Sequence, residues 1–149
     1  MKKVSLILML ALLLTLAFPF LPVGALESDY AADTVAVIGE KEYNSLQDAF
    51  DAVGSGETIR LVKDVTDNKK TFTYSGTTLV KGEAVPRAKV TLDGNGHTIS
   101  YSGGTQDTNF ALVFDSNAII EVKNLTVLSI RSAVKITDGS QVFLKNFNL

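Results

Sequence analysis

Residue types that could do chemistry are sparse in this sequence and poorly grouped. The 149 residues hold one histidine and no cysteine. That removes thiolate nucleophiles, disulfides, Cys-based zinc or iron–sulfur centres and any His-rich metal site. Asp93 opens the turn Asp93-Gly94-Asn95-Gly96 and His97 follows it. A metal-binding role is open to both, but a carboxylate in a Gly-rich turn serves first to hold that turn through its own backbone. A histidine after such a turn reads as a bystander. Arg60, Arg87 and Arg131 are scattered and read as solvated surface residues, not as bases. No catalytic, cofactor-binding or metal-binding residue is assigned on this basis, and no cofactor is implied.

Charge excludes a further class. The chain carries a formal net charge of −2. Without Lys2 and Lys3 it has 12 basic and 16 acidic side chains, too few cations for the basic face that nucleic-acid binding needs. Those two lysines precede an apolar run at residues 4–16, then Pro19 and Pro22, then Val23-Gly24-Ala25. This pattern predicts a secretory signal peptide over residues 1–25, cut after Ala25. Residues 4–26 would also be long enough for an uncleaved membrane anchor, but the prolines and the small-residue exit favour cleavage. No cysteine follows to carry a lipid. The expected location is therefore secreted or cell-surface, with the membrane met only through the signal segment. Beyond the leader the apolar content falls to about 40%, an ordinary globular fraction. Asn124-Leu125-Thr126 matches a glycosylation acceptor, read as coincidence because the Lys-Lys opening has a bacterial style.

The elements that would position any site change character along the chain. Residues 26–34 are polar and acidic and read as a flexible leader. Val35-Ala36-Val37-Ile38 is a short β-type run. Leu46, Ala49, Phe50 and Val53 then fall at i, i+3, i+4 and i+7 on one helical face. Ser45 stands as N-cap with Asp48 three residues on, and Gly54 and Gly56 supply the stop. From Thr58 onward the pattern is one of short β-type runs broken by Gly, Asn, Asp and Ser.

Those runs repeat. Ala111-Leu112-Val113-Phe114-Asp115-Ser116-Asn117 lies over Ala133-Val134-Lys135-Ile136-Thr137-Asp138-Gly139, and residues 120–127 lie over residues 142–149 at the same offset of 22. Val90-Thr91-Leu92 matches Ile120-Glu121-Val122 at an offset of 30, which implies about eight inserted residues, placed by composition at residues 100–109. Ile59-Arg60-Leu61 is a looser copy 31 residues before Val90-Thr91-Leu92. Stacking of like strands as turns of a parallel β-helix explains a translational repeat of this kind. Asn124 over Asn146 would then form an amide ladder, with Lys123 and Lys145 pointing to solvent. The turn at residues 93–96 is also a hairpin signal, so an immunoglobulin-like sandwich stays as the alternative fold.

Gly56-Glu57-Thr58-Ile59-Arg60-Leu61, Thr91-Leu92-Asp93-Gly94-Asn95-Gly96-His97-Thr98-Ile99 and Val122-Lys123-Asn124-Leu125-Thr126-Val127 follow a short strand and a capped amphipathic helix. Together they resemble the N-terminal part of right-handed parallel β-helix proteins of the pectate lyase-like superfamily. The resemblance implies that the helix covers the open end of the β-helix. It also implies a range of activities: polysaccharide lyases with an Arg or Lys base and calcium-binding carboxylates, hydrolases with clustered Asp, esterases, and surface or adhesin-like proteins. Such sites need reactive groups at one position of neighbouring turns. Here Asp115 lies over Thr137, Ser116 over Asp138 and Glu121 over Phe143, so no column carries two acids. Phe114, Phe143 and Phe147 fall at strand positions that suggest core, which leaves Tyr74 and Tyr101 as candidates for carbohydrate contact.

The expectation is thus an all-β chain: a right-handed parallel β-helix of three to four turns over residues 35–149, with an N-terminal capping helix. Residue 149 falls inside a strand, so an N-terminal fragment is expected, or a stack continued by further turns or another chain at its open end. The expected role is structural, adhesive or glycan-binding, with a polysaccharide or cell-wall glycan as partner. The alternative is the start of a polysaccharide lyase or glycoside hydrolase whose catalytic turns lie elsewhere.

Overall fold

A computed structural model describes residues 30–103, 110–130 and 132–149. The signal segment and Arg131 lie outside the described residues. Two short strands, β1 (Ala36–Ile38) and β2 (Lys41–Tyr43), precede helix α1 (Leu46–Ala52). After it come β3 (Thr58–Leu61), β4 (Val65–Asn68), β5 (Phe72–Ser75), β6 (Thr77–Val80), β7 (Glu83–Pro86), β8 (Val90–Asp93) and β9 (Thr98–Tyr101). The last four are β10 (Phe110–Asp115), β11 (Ile119–Ser129), β12 (Ser132–Ile136) and β13 (Gln141–Asn148). The chain is thus mainly β, with one helix among the described residues.

Helix α1 forms where its apolar spacing places it. Ser45 is extended and its Oγ accepts from the Asp48 backbone N–H at 3.0 Å, satisfying one of the orphan donors of the first turn. The helix ends as Val53 turns extended, ahead of Gly54. Leu46, Ala49, Phe50 and Val53 are buried, and the helix packs on β5, β1, β2 and β3. Gln47 adds a contact of another kind. Its amide nitrogen donates to the Thr73 carbonyl at 3.0 Å, and its amide oxygen accepts from the Thr73 N–H at 2.9 Å. The side chain thereby pairs with strand β5 as a neighbouring strand would.

Three parallel ladders carry most of the chain. The first is β3, β8 and the first halves of β11 and β13; the second is β4, β9 and the second halves of β11 and β13; the third is β5, β10 and β12. Only β1 with β2, β1 with β3, and the hairpin β6 with β7 pair antiparallel. β8 and β9 do not pair with each other but each lies parallel to β11, so the turn at residues 93–96 makes no hairpin and the sandwich alternative fails.

Register follows the repeat. Ile120 faces Val142 and Leu112 faces Val134, both at an offset of 22. Val90 faces Ile120 at an offset of 30, but Thr98 faces Thr126 at 28. Two of the extra residues therefore sit in the turn before Thr98, and the remaining six lie between Tyr101 and Phe110. The earliest copy also shifts: Thr58 faces Thr91 and Ile59 faces Leu92, an offset of 33 where 31 was expected. A two-residue slip keeps every side chain on its own face, which is why alternation alone did not detect it.

Inward side chains stack in columns. Ile59, Leu92 and Val122 form one, Val90 and Ile120 a second, Ile99 and Val127 a third, and Tyr74 and Phe114 a fourth, all buried. Each such side chain contributes about 1.5–3 kcal/mol of burial free energy. Leu144, in register with Val122, is 53% exposed, and Ile136, in register with Phe114, is 50% exposed.

The corners repeat as well. Asn124 and Asn146 take positive φ of 51° and 50°, bending β11 and β13 from one ladder to the next, a conformation asparagine tolerates better than most residues. In the preceding strand the corner is Gly94, where a Cβ would stand 2.5 Å from the Asn124 carbonyl oxygen. Ser116-Asn117 and Asp138-Gly139 form a second pair of matched left-handed turns.

Several expectations need correction. Tyr74 and Tyr101 are buried, pointing inward from β5 and β9 beside Phe72 and Ile99, and offer no exposed platform. Phe143 points outward, 50% exposed, because it shares the register position of Glu121 and Thr91. Of the stretch expected as a flexible leader, residues 30–34 are described and tied down. The Glu42 carboxylate accepts from the Ala31 N–H and the Thr34 hydroxyl, and Thr34 is buried.

Candidate functional site

The corner between the first two ladders gathers the polar groups. Asp93 Oδ1 accepts from the Asn95 N–H at 2.9 Å, closing the turn as expected, and from Asn124 Nδ2 at 3.1 Å. Asn124 Oδ1 in turn accepts from Asn146 Nδ2 at 3.0 Å. The amide ladder thus exists and starts on a carboxylate. Lys123 Nζ stands 3.2 Å from Asp93 Oδ2. Partial burial works to raise the Asp93 pKa, but the Asn95 N–H, the Asn124 amide and the Lys123 ammonium outweigh it and hold the carboxyl below the usual carboxylate range.

Beside this corner lies the outer face of the first ladder. One column runs Arg60, Asp93, Lys123, Lys145 and the next runs Thr58, Thr91, Glu121, Phe143, with successive strands about 4.8 Å apart. Lys89 Nζ lies 2.5 Å from Glu121 Oε2 and 5.2 Å from the centroid of the Phe143 ring. Lys89 lowers the Glu121 pKa by hydrogen bond and charge. Arg60 donates to the Tyr30 hydroxyl and lies over that ring. Both carboxylates on this face are held ionised in ion pairs, whereas a general acid needs its pKa raised.

The other candidates fall apart from this face and from each other. His97 Nδ1 contacts Asp64 Oδ1 at 3.1 Å, and Asp64 also accepts from the Thr98 N–H at 2.9 Å. Those bonds lower the Asp64 pKa, the backbone one most. Arg87, expected as a solvated residue, is half-buried and donates to the Phe50 and Asp51 carbonyls at 2.7 and 3.2 Å, closing the C-terminus of α1. Its guanidinium also lies 5.5 Å from the Tyr74 ring centroid. The buried Tyr74 hydroxyl and Asp115 Oδ1 have no hydrogen-bond partner among the described residues, and burial raises the Tyr74 pKa. An open apolar groove of about 390 Å³ lies between Tyr101, Leu128, Ile130 and Leu149. Among the described residues no cluster of three His, Cys, Asp or Glu is placed to hold a metal ion, and no helix is long and apolar enough to cross a membrane.

Of the outer-face residues, the sequence reading left out Lys89 and took Phe143 for core. Lys89 precedes its strand and meets Glu121 across 32 residues, a separation with no local signal. Phe143 did carry one: its place over Glu121 in the 22-residue repeat. No protein-family model, curated protein or solved structure matches this chain.

Proposed function

We propose that the three parallel ladders are the walls of a right-handed parallel β-helix of the pectate lyase-like kind, and that the chain is an exported, cell-surface protein with a structural, adhesive or glycan-binding role. The observation that carries the reading is the shared 22-residue register of two separate strand pairs, β10 with β12 and β11 with β13. Strands so paired, each reached by a crossover, wrap right-handed in nearly all proteins. Closure of the first end by β1 and α1 supports it further. The exposed Phe143 ring, with Lys89 above it and Lys145 and Arg60 in the adjacent column, is the surface a glycan would meet.

The test combines address and activity. Cells expressing the full chain are fractionated and shaved with protease, and the purified protein is incubated with polyuronates and other cell-wall polysaccharides. Surface-accessible protein lacking residues 1–25, with polysaccharide retained and no new product, supports the reading. Cytoplasmic protein with an intact N-terminus overturns export. Unsaturated sugars or new reducing ends overturn the non-catalytic role and favour a lyase or hydrolase.

A further inference from the structure

The turn at residues 93–96 holds two dipeptides of a kind that rearranges without an enzyme. In Asp93-Gly94 and Asn95-Gly96 a side-chain carbonyl carbon stands next to a glycine nitrogen that no side chain shields. Asn95-Gly96 is the only Asn-Gly pair in the sequence. Of the two, the Asn95 carboxamide is the better electrophile at neutral pH, because a carboxylate resists attack and Asp93 is held ionised by the Asn95 N–H, Asn124 and Lys123.

The fold keeps both glycine nitrogens occupied. The Gly94 N–H donates to the Lys123 carbonyl and the Gly96 N–H to the Asn124 carbonyl, each at 2.8 Å. These acceptors lie at the corner of β11, so the two bonds form only when the turn is stacked on that strand. Asn95 itself is exposed, with a φ of 52°. Its N–H is held by Asp93 Oδ1 at 2.9 Å, and its Nδ2 donates to the Leu61 carbonyl at 3.4 Å. Swinging the Asn95–Gly96 peptide toward Asn95 Cγ would break the Gly96 bond and the 2.8 Å bond from the His97 N–H to the Gly94 carbonyl. Water reaches the side chain in the folded state; the nucleophile is what the fold withholds.

We infer that Asn95 is a site of spontaneous deamidation held off by the corner of β11, so that the reaction runs only when the turn leaves that corner. In the opened turn the Gly96 nitrogen gives up its proton and attacks Asn95 Cγ. The new C–N bond closes a five-membered imide, the Cγ–Nδ2 bond breaks, and Nδ2 leaves as ammonia, taking through solvent the proton that Gly96 lost. Water then opens the imide at either carbonyl and yields aspartate or isoaspartate at residue 95.

Neither product fits the corner as asparagine does. Isoaspartate routes the main chain through the side chain and adds one backbone carbon between the Gly94 and Gly96 amides that meet Lys123 and Asn124. Aspartate sets a second carboxylate beside Asp93 and turns an acceptor toward the Leu61 carbonyl. Each opening that reaches the imide therefore leaves a covalent mark on the turn and a weaker hold on β11.

The test incubates the full 149-residue chain at pH 8 with and without guanidinium chloride. Peptide mapping by mass spectrometry follows deamidation and isoaspartate at each asparagine. In denaturant Asn95 should convert ahead of every other asparagine, and in buffer it should convert at least roughly tenfold more slowly, because the reaction waits on local opening. Asp93→Ala, which frees the Asn95 N–H, should speed conversion in buffer and leave the denatured rate unchanged. Hydrogen exchange of the Gly96 N–H needs no variant and should show protection of at least roughly tenfold. Equal rates in the folded and denatured chain, a freely exchanging Gly96 N–H, or a folded Asp93→Ala chain that converts no faster would each overturn the control by the corner. Another asparagine converting first in denaturant would overturn the site itself.

Discussion

Gln47 offers a sharp test of how the first end is closed. Its side chain makes two hydrogen bonds to the backbone of Thr73, at 3.0 and 2.9 Å, in a partly buried place. A net value of about 1 kcal/mol for each bond sets the loss in Gln47→Ala at about 1–2 kcal/mol, with water replacing part of it. With a urea slope of roughly 1.5 kcal/mol per molar, the unfolding midpoint falls by roughly 1 M. Gln47→Glu separates this account from loss of packing. At pH 7 the new carboxylate still accepts from the Thr73 N–H but faces the Thr73 carbonyl oxygen and Asp51 Oδ1, to which the Gln47 amide nitrogen also donates at 2.9 Å, so the variant is destabilised by at least a similar amount. Once protonated it donates to that carbonyl and the pairing returns. The fold therefore favours the neutral form and raises the pKa of the new carboxyl above its unfolded value near 4.3. Its stabilising contribution is complete below that unfolded value and is lost as pH rises through the raised folded one. Urea midpoints of Gln47→Glu and the unmodified chain, read by circular dichroism from pH 3 to 7, should converge at the acid end. A deficit that is flat with pH, or that grows on acidification, refutes the strand-mimic account.

Three further outcomes follow from the same geometry. Leu92→Ala, in a fully buried column, should cost about 2–5 kcal/mol, whereas Leu144→Ala, in the same column but 53% exposed, should cost less than about 1 kcal/mol; equal losses in urea titrations would contradict this difference in burial. Gly94→Ala should prevent native folding, because its Cβ would meet the Asn124 carbonyl oxygen at 2.5 Å and Leu125 at 2.6 Å, and a native-like amide spectrum for this variant would contradict the corner geometry. Asp93 has a lowered pKa, so its contribution is full above the unfolded value near 3.9 and is lost as pH falls through the depressed folded one. Asp93→Asn should accordingly lose less stability than the unmodified chain between pH 5 and 2, checked by urea midpoints, with Glu42, Asp64 and Glu121 contributing to the loss that persists.

The residues show why part of this was legible in the sequence and part was not. Two strands stacked in register over two others at one offset leave the same mark on every column, so the 22-residue repeat, the Asn124–Asn146 ladder and the apolar face of α1 could all be read. Parity is harder to read than periodicity. A tyrosine or phenylalanine suits either face of a strand, so Tyr74, Tyr101 and Phe143 were assigned to the wrong side, and only the partner of Phe143 in the repeat could have decided it. The early copy at Ile59 slipped by two because β4 to β7 intervene before β8 and alternation cannot detect an even shift. Contacts that close the structure at long range, Gln47 with Thr73, Arg87 with the end of α1, and Lys89 with Glu121, depend on folding that no local pattern encodes.

The β6–β7 hairpin leaves the third ladder at Gly76 and returns at Arg87, whose N–H donates to the Gly76 carbonyl at 2.7 Å. Gly76 itself is packed so closely on Ala118 that even a methyl group has no room, while Leu79 at the far end of the hairpin is 73% exposed. The excursion is therefore fastened at its root and free at its tip, so its length is uncoupled from the spacing of the strands it interrupts. The Lys81-Gly82 turn becomes a natural graft point: an epitope, a tag or a whole small domain inserted there would be carried outward while the stacked strands keep their register.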